Sequence, residues 1–218
     1  MFALLMSLTF AADFAPLDAR LTGYDYPYPT ASHAMTWQGE PVEMVYMDVA
    51  PTAAPSGETV LLLHGKNFSG AYWQPTIAAL TAAGHRVIAP DQVGFGKSSK
   101  PTHAQYSFHA LSDHTTRLLD HLGIGEVTVV GHSMGGMLAT RFAVDHADRT
   151  ERLVLINPIG LEDYRRLAPY RSVSEWEQAE ADKTPSGIQA YMQQNYFDGA
   201  GGMARARLRT VTDALALR

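Results

Sequence analysis

Residues 129–137 read VVGHSMGGM and set one serine, Ser133, between glycines at the end of an apolar run. The central GHSMG fits the pattern G-x-S-x-G. Glycine on both sides lets the backbone turn sharply from strand to helix with little side-chain clash, so the serine projects from the tip. A helix starting there aims its free N–H groups and the positive end of its dipole at the hydroxyl. EVTVVG (126–131) supplies the apolar strand before the turn, and MGGMLATRFAVD (134–145) the helix after it. This context makes Ser133 a candidate nucleophile; the alternative is a tight turn without chemistry.

Outward from the serine, short apolar runs alternate with helical stretches. TVLLLHG (59–65) ends in glycine, as a buried parallel strand should. Residues 72–83 read as a helix closed by Gly84, and HRVIAPD (85–91) as a second buried strand. Residues 108–122 fit a helix with Leu111, Leu118, Leu119 and Leu122 on one face, closed by Gly123. RLVLI (152–156) is a fourth apolar run. Such strand-helix-strand repeats predict an α/β fold, a mostly parallel sheet with helices on both faces. In these sheets the loops at the carboxyl ends of the strands carry the chemistry. Before the parallel part, 35–37 and 42–49 are two further strand candidates, and TGYDYPYPTASH (22–33) is an extended leader.

The 218 residues, 46% hydrophobic and 18% charged, are enough for one large or two small domains with a sizeable core. A net charge of -5 with no basic stripe points away from nucleic acid. The absence of cysteine excludes disulfides, thiolate metal sites and a cysteine nucleophile. At the start, residues 2–11 are apolar and Ala11 and Ala12 follow, like the end of a secretory signal without its charged n-region. Two localisations stay open: an exported periplasmic or secreted protein, or a cytoplasmic one with an apolar arm on its fold. The run is too short to span a membrane, and no other stretch approaches the required length.

After Ile156 no β-branched run follows. Thr184 and Pro185 can open a helix, and 204–217 places Leu208, Val211 and Leu215 at helical spacing. The organisation expected is a leader over 1–34, an α/β core over 35–160 and a helical lid or cap over 161–218.

LLLHGKNFSG (61–70) ends its strand in His-Gly and a loop. The backbone N–H of Lys66 there, with that of Met134, is a candidate pair of oxyanion donors. Together, LLLHGKNFSGAYW, APDQVGFGKSSKP, VVGHSMGGMLATRFA and LVLINPIGLEDYR resemble the α/β-hydrolase fold family in order and spacing, from about residue 42 to 166. The resemblance implies Ser133 as nucleophile, an oxyanion hole from the main chains of Lys66 and Met134, and a structural role for Asp91. It implies attack on an ester-like or related carbon without cofactor or metal. A serine at the turn argues against the family's dehalogenases and epoxide hydrolases, which use an aspartate nucleophile.

The family's chain order is serine, then acid, then histidine. His146 is the only histidine after Ser133. It lies 13 residues along the helix, roughly 20 Å away at about 1.5 Å per residue, beyond reach as a base. In the family pattern His132 packs against the sheet and His64 precedes the oxyanion glycine; neither takes the serine proton. His85 starts a strand, His33 sits in the leader, and His103, His109, His114 and His121 lie on or near one helix without a third metal ligand. Glu162 and Asp163 follow the fourth apolar run, where a minority of the family places its acid, though solvated loop charges are the plainer reading. Most members place acid and histidine after two later strands that are not in this sequence. The expectation is therefore a partial fold, stopping inside its lid, from a fragment or broken gene product of a serine hydrolase. Its substrate would be a small or medium apolar ester or acyl compound, with Tyr164, Tyr170, Trp176, Tyr191, Tyr196 and Phe197 available to wall a pocket. The alternatives are a non-catalytic small-ligand-binding relative and an interaction protein exposing an unfinished sheet edge.

Overall fold

The computed structural model describes residues 17–163, 169–184, 186–188 and 190. Six strands form one sheet: β1 (Thr30–Trp37), β2 (Glu40–Val49), β3 (Thr59–Leu63), β4 (Arg86–Pro90), β5 (Val127–His132) and β6 (Thr150–Ile156). Their spatial order is β1-β2-β4-β3-β5-β6. β1 and β2 form an antiparallel hairpin, and β2 runs antiparallel to β4. The remaining four strands are parallel. The hairpin turns at Gln38 and Gly39, with φ of 50° and 87°. Two positive φ angles give a turn whose twist matches that of the flanking strands.

The helices include α1 (Gln74–Ala82), α2 (Phe108–His121), α3 (Met134–Asp145) and α4 (Val173–Ala181), with helical residues again at 186–188 and 190. The first three are the crossovers of the parallel strands, and they lie on both faces of the sheet. Leu111, Leu118 and Leu119 of α2 pack with Leu138, Ala139 and Phe142 of α3 against Leu61, Leu63 and Val129. On the other face Ile77 of α1 packs with Trp73, Leu62, Val87 and Val130. Leu61, Leu62 and Leu63 are wholly buried, as a strand covered on both sides requires. Each such leucine contributes about 1.5–3 kcal/mol relative to exposure.

The α/β class, the parallel order and the flanking helices agree with the sequence expectation, and α3 keeps its expected bounds. Three boundaries differ. β1 begins at Thr30 rather than residue 35. Its first residues, TASHA, are paired with β2 through their backbones but are mostly exposed on an edge strand, so no apolar run marks them. The helix expected over 72–83 is a 3-10 turn over Gly70–Trp73 followed by α1. Pro75 belongs to the first turn of α1, where its missing N–H costs nothing. β6 starts at Thr150 and is largely exposed on the other edge.

In the C-terminal region α4 opens with a capping box: Ser172 Oγ accepts from Glu175 N–H at 3.3 Å, and Glu175 Oε2 accepts from Ser172 N–H at 2.6 Å. Thr184 Oγ1 accepts from Gly187 N–H at 3.1 Å, as a helix cap there should. The expected helix over 204–217 and the apolar N-terminal run lie outside the described residues. Among the described residues no helix is long and apolar enough to cross a membrane.

Candidate active site

Loops after β3 and β5 meet where the strand order reverses. β3 leads to β4 on one side, and β4 then crosses to β5 on the other. Such a switch point opens a crevice at the carboxyl ends of the strands. Ser133 lies there, between β5 and α3, with φ 55° and ψ -118°. That conformation costs a non-glycine residue about 1–3 kcal/mol and persists only where the surroundings impose it. Ser133 N–H donates to Ile156 O at 3.1 Å, and Ser133 O accepts from Gly136 N–H at 2.9 Å and Ile159 N–H at 3.3 Å. A Cβ on Gly135 would collide with the carbonyls of Leu63 and His64, and one on Gly131 with the Gly135 backbone. The flanking glycines thus let α3 lie directly on the end of β3. Ser133 makes no side-chain capping bond to α3, so its hydroxyl is free of that duty, and the N–H of Met134, first in the helix, has no partner within it.

The loop after β3 brings Gly65 against this turn. A Cβ on Gly65 would lie 3.3 Å from Ser133 Cβ and 3.2 Å from His132 Nδ1. Gly65 O closes a turn by accepting from Phe68 N–H at 3.2 Å, with Asn67 at φ 65°. Lys66 therefore follows the residue facing the serine. Its amine points elsewhere, to Glu180 Oε1 at 2.7 Å on α4.

All nine histidines lie within the described residues, and none of them hydrogen-bonds to Ser133. His64 is buried and committed at both nitrogens: it accepts from Gln92 N–H at Nε2 (3.0 Å), which makes Nδ1 the donor to Gly65 O (2.9 Å). Burial holds its pKa below the ordinary histidine value. His132 Nδ1 faces the Tyr72 hydroxyl at 3.1 Å, and burial lowers its pKa as well. At the far end of α3, His146 Nε2 lies 3.8 Å from Asp113 Oδ1, as its place in the sequence implies. His109 pairs with Asp145, His85 contacts Ser56, His33 stacks on His121, and His114 packs edge-on against Trp37. His103 lies in an exposed bend. Among the described residues no group of three or more histidine or carboxylate side chains is arranged to hold a metal ion.

Asp91 is buried at the end of β4, where Oδ1 accepts from Gly70 N–H (2.6 Å) and Oδ2 from the Tyr26 hydroxyl (2.6 Å) and Lys97 N–H (2.7 Å). It fastens three separate segments, in line with the structural role implied above. Glu162 and Asp163 are exposed beyond β6.

A cavity of about 600 Å³ opens beside Met134, walled by Phe95, Tyr106, Phe108 and Leu111. Lys100 also lines it, but its amine donates to Gly96 O (2.5 Å) and Ser98 O (3.2 Å). The aromatics expected to form such a wall do not do so where they are described: Tyr170 and Trp176 are exposed. Tyr164, Tyr191, Tyr196 and Phe197 lie outside the described residues. Among the described residues the loop after β4 and the start of α2 supply the wall. Tyr106 and Phe108, two apart before and at the start of α2, are wall residues that the sequence expectation missed.

Comparison with known proteins fits this arrangement. A haloalkane dehalogenase of Mycolicibacterium paratuberculosis is 33% identical over 147 residues, which cover 66% of this chain and 48% of that protein. A 2-hydroxymuconate semialdehyde hydrolase of Pseudomonas sp. strain CF600 is 38% identical over 109 residues, 49% of this chain and 38% of the relative. The chain thus spans about half the length, or less, of these curated relatives. The crystal structure of a probable hydrolytic enzyme from Pseudomonas aeruginosa PAO1 superposes with a TM-score of 0.86 at 47% identity, over 92% of this chain and 64% of that one. Residues 58–201 match the model of a family described as the alpha/beta hydrolase fold. With the serine turn, the glycine loop and the reversed strand order all inside that match, this chain belongs to the alpha/beta hydrolase fold family.

Proposed function

We propose that the protein is a serine hydrolase acting on a small or medium ester or acyl substrate. Ser133 is the nucleophile, and the backbone N–H groups of Lys66 and Met134 hold the developing oxyanion. The observation that carries this reading is the backbone of Ser133. Its strained φ leaves the hydroxyl free of capping duty, beside Gly65 and at the N-terminus of α3. The largely apolar cavity beside Met134 suits the apolar part of such a substrate.

Nucleophile chemistry favours acyl transfer over the dehalogenation named for the Mycolicibacterium paratuberculosis relative. An acylated serine is an ester that water cleaves, whereas a serine alkylated by a haloalkane is an ether that water leaves intact.

No histidine stands at Ser133, so the 218-residue chain is expected to act weakly. Oxyanion stabilisation and binding alone leave roughly 10³- to 10⁴-fold over water. The test is labelling by a fluorophosphonate, together with hydrolysis of a chromogenic short-chain ester. Slow labelling lost in Ser133→Ala supports the reading, and labelling that persists in that variant sinks it. A second reading, a non-catalytic protein binding a small apolar ligand, rests on the cavity beside Met134. Tight ligand binding without labelling of Ser133 would select it.

A further inference from the structure

The two loops of the candidate site leave the sheet before they reach each other. The last paired residues of β3 and β5 are Leu63 and Gly131, so Gly65 and His132 lie past the final rung. β5 continues to pair with β6 through His132 and Ile156, but the loop after β3 has no further strand partner. One side chain spans the gap. Tyr72, in the 3-10 turn before α1, places its hydroxyl 3.1 Å from His132 Nδ1, the same nitrogen that a Cβ on Gly65 would approach to 3.2 Å. Its ring is held by Phe68 at 4.9 Å and Trp73 at 4.7 Å between centroids, and both also flank the His132 ring.

The protonation states suit a fixed bridge. Burial pushes the Tyr72 phenol up, so it keeps its proton, and pulls His132 down, so its ring is neutral. A neutral imidazole has one acceptor nitrogen, to which a phenol that keeps its proton can donate. We infer that Tyr72 is a positioning residue. Its hydroxyl donates to His132 Nδ1 and fixes the ring against which Gly65 packs, holding the residue before Ser133 and the residue before Lys66 at a set distance and with them the two oxyanion donors. The inference rests on the serine-hydrolase reading and deepens it. Tyr72 touches no reacting atom; it acts through the two loops.

Two measurements test it on the whole chain. In the parent protein, nitrogen NMR of His132 should show a hydrogen-bonded Nδ1 acceptor and a proton on Nε2; a proton on Nδ1 overturns the assigned direction. Tyr72→Phe keeps the ring and removes only the hydroxyl. The maximal rate of fluorophosphonate labelling at Ser133 should then fall about tenfold, since small misplacements of catalytic groups cost this much or more. The reversible affinity for the probe should stay within about twofold, and the His132 pKa should rise because its neutral form loses a donor. An unchanged maximal rate in a labelled parent overturns the inference alone. A parent that is not labelled at Ser133 overturns the hydrolase reading, and this inference with it.

Discussion

Glu180 of α4 receives the amine of Lys66 at 2.7 Å, so the helix beyond the sheet is tied by an ion pair to the loop facing Ser133. Lys183 reaches the same Oε1 at 2.8 Å. The pair joins residues 114 apart in sequence.

Exposure limits what this tie is worth. The Lys66 side chain is 48% exposed, and pairs of this kind contribute about 0.2–1 kcal/mol. Glu180→Gln should therefore lower global stability by less than about 1 kcal/mol, read from the urea midpoint. Raising salt should shrink the difference between parent and variant.

The turn at Ser133 stores strain that glycine would not feel. Ser133→Gly should raise stability by about 1 kcal/mol relative to Ser133→Ala, which keeps the Cβ and its clash. The gain is the relieved strain less the extra chain entropy of glycine. Thermal unfolding of the two variants checks it; equal midpoints would mean the φ of 55° is not imposed on the residue.

Asp91 bears on stability rather than on reactivity. Asp91→Ala leaves the donors of Gly70, Tyr26 and Lys97 without their acceptor. Unsatisfied buried donors cost about 1–3 kcal/mol each, so a loss of about 3 kcal/mol or more is expected. Denaturant unfolding measures that loss.

Acid should weaken the fold through His114. Burial first, then the charge of Arg117, lower its pKa from 6.5 to about 4, while Asp113 opposes the shift. Its Nδ1 is buried without a hydrogen-bond partner. Because the folded value lies below the unfolded one, the unfolded chain takes up the proton first as pH falls. Stability is then unaffected by this group above pH 6.5 and declines from there towards pH 4, at most about 1.4 kcal/mol per pH unit. His114→Leu should flatten that part of the stability profile, measured by chemical denaturation across the range.

What the sequence determined by itself was local. The alternation of apolar runs with glycine-closed helices yields β3, β4, β5, α2 and α3, because each buries a periodic face that its own residues spell out. GHSMG likewise announces a serine at a turn, since the glycines needed for close approach are neighbours of the serine. The capping box of Ser172 and Glu175 marks α4, a helix that the sequence expectation did not assign. Tertiary structure alone decided the rest. The first half of β1 depends on backbone pairing with β2, to which hydropathy is blind. Tyr72 meets His132 across 60 residues, and Lys66 meets Glu180 across 114. The described part of the cavity wall comes from the loop after β4 and from α2. Such contacts follow from the order in which strands lie side by side, and that order is settled by packing of the whole sheet rather than by any one segment.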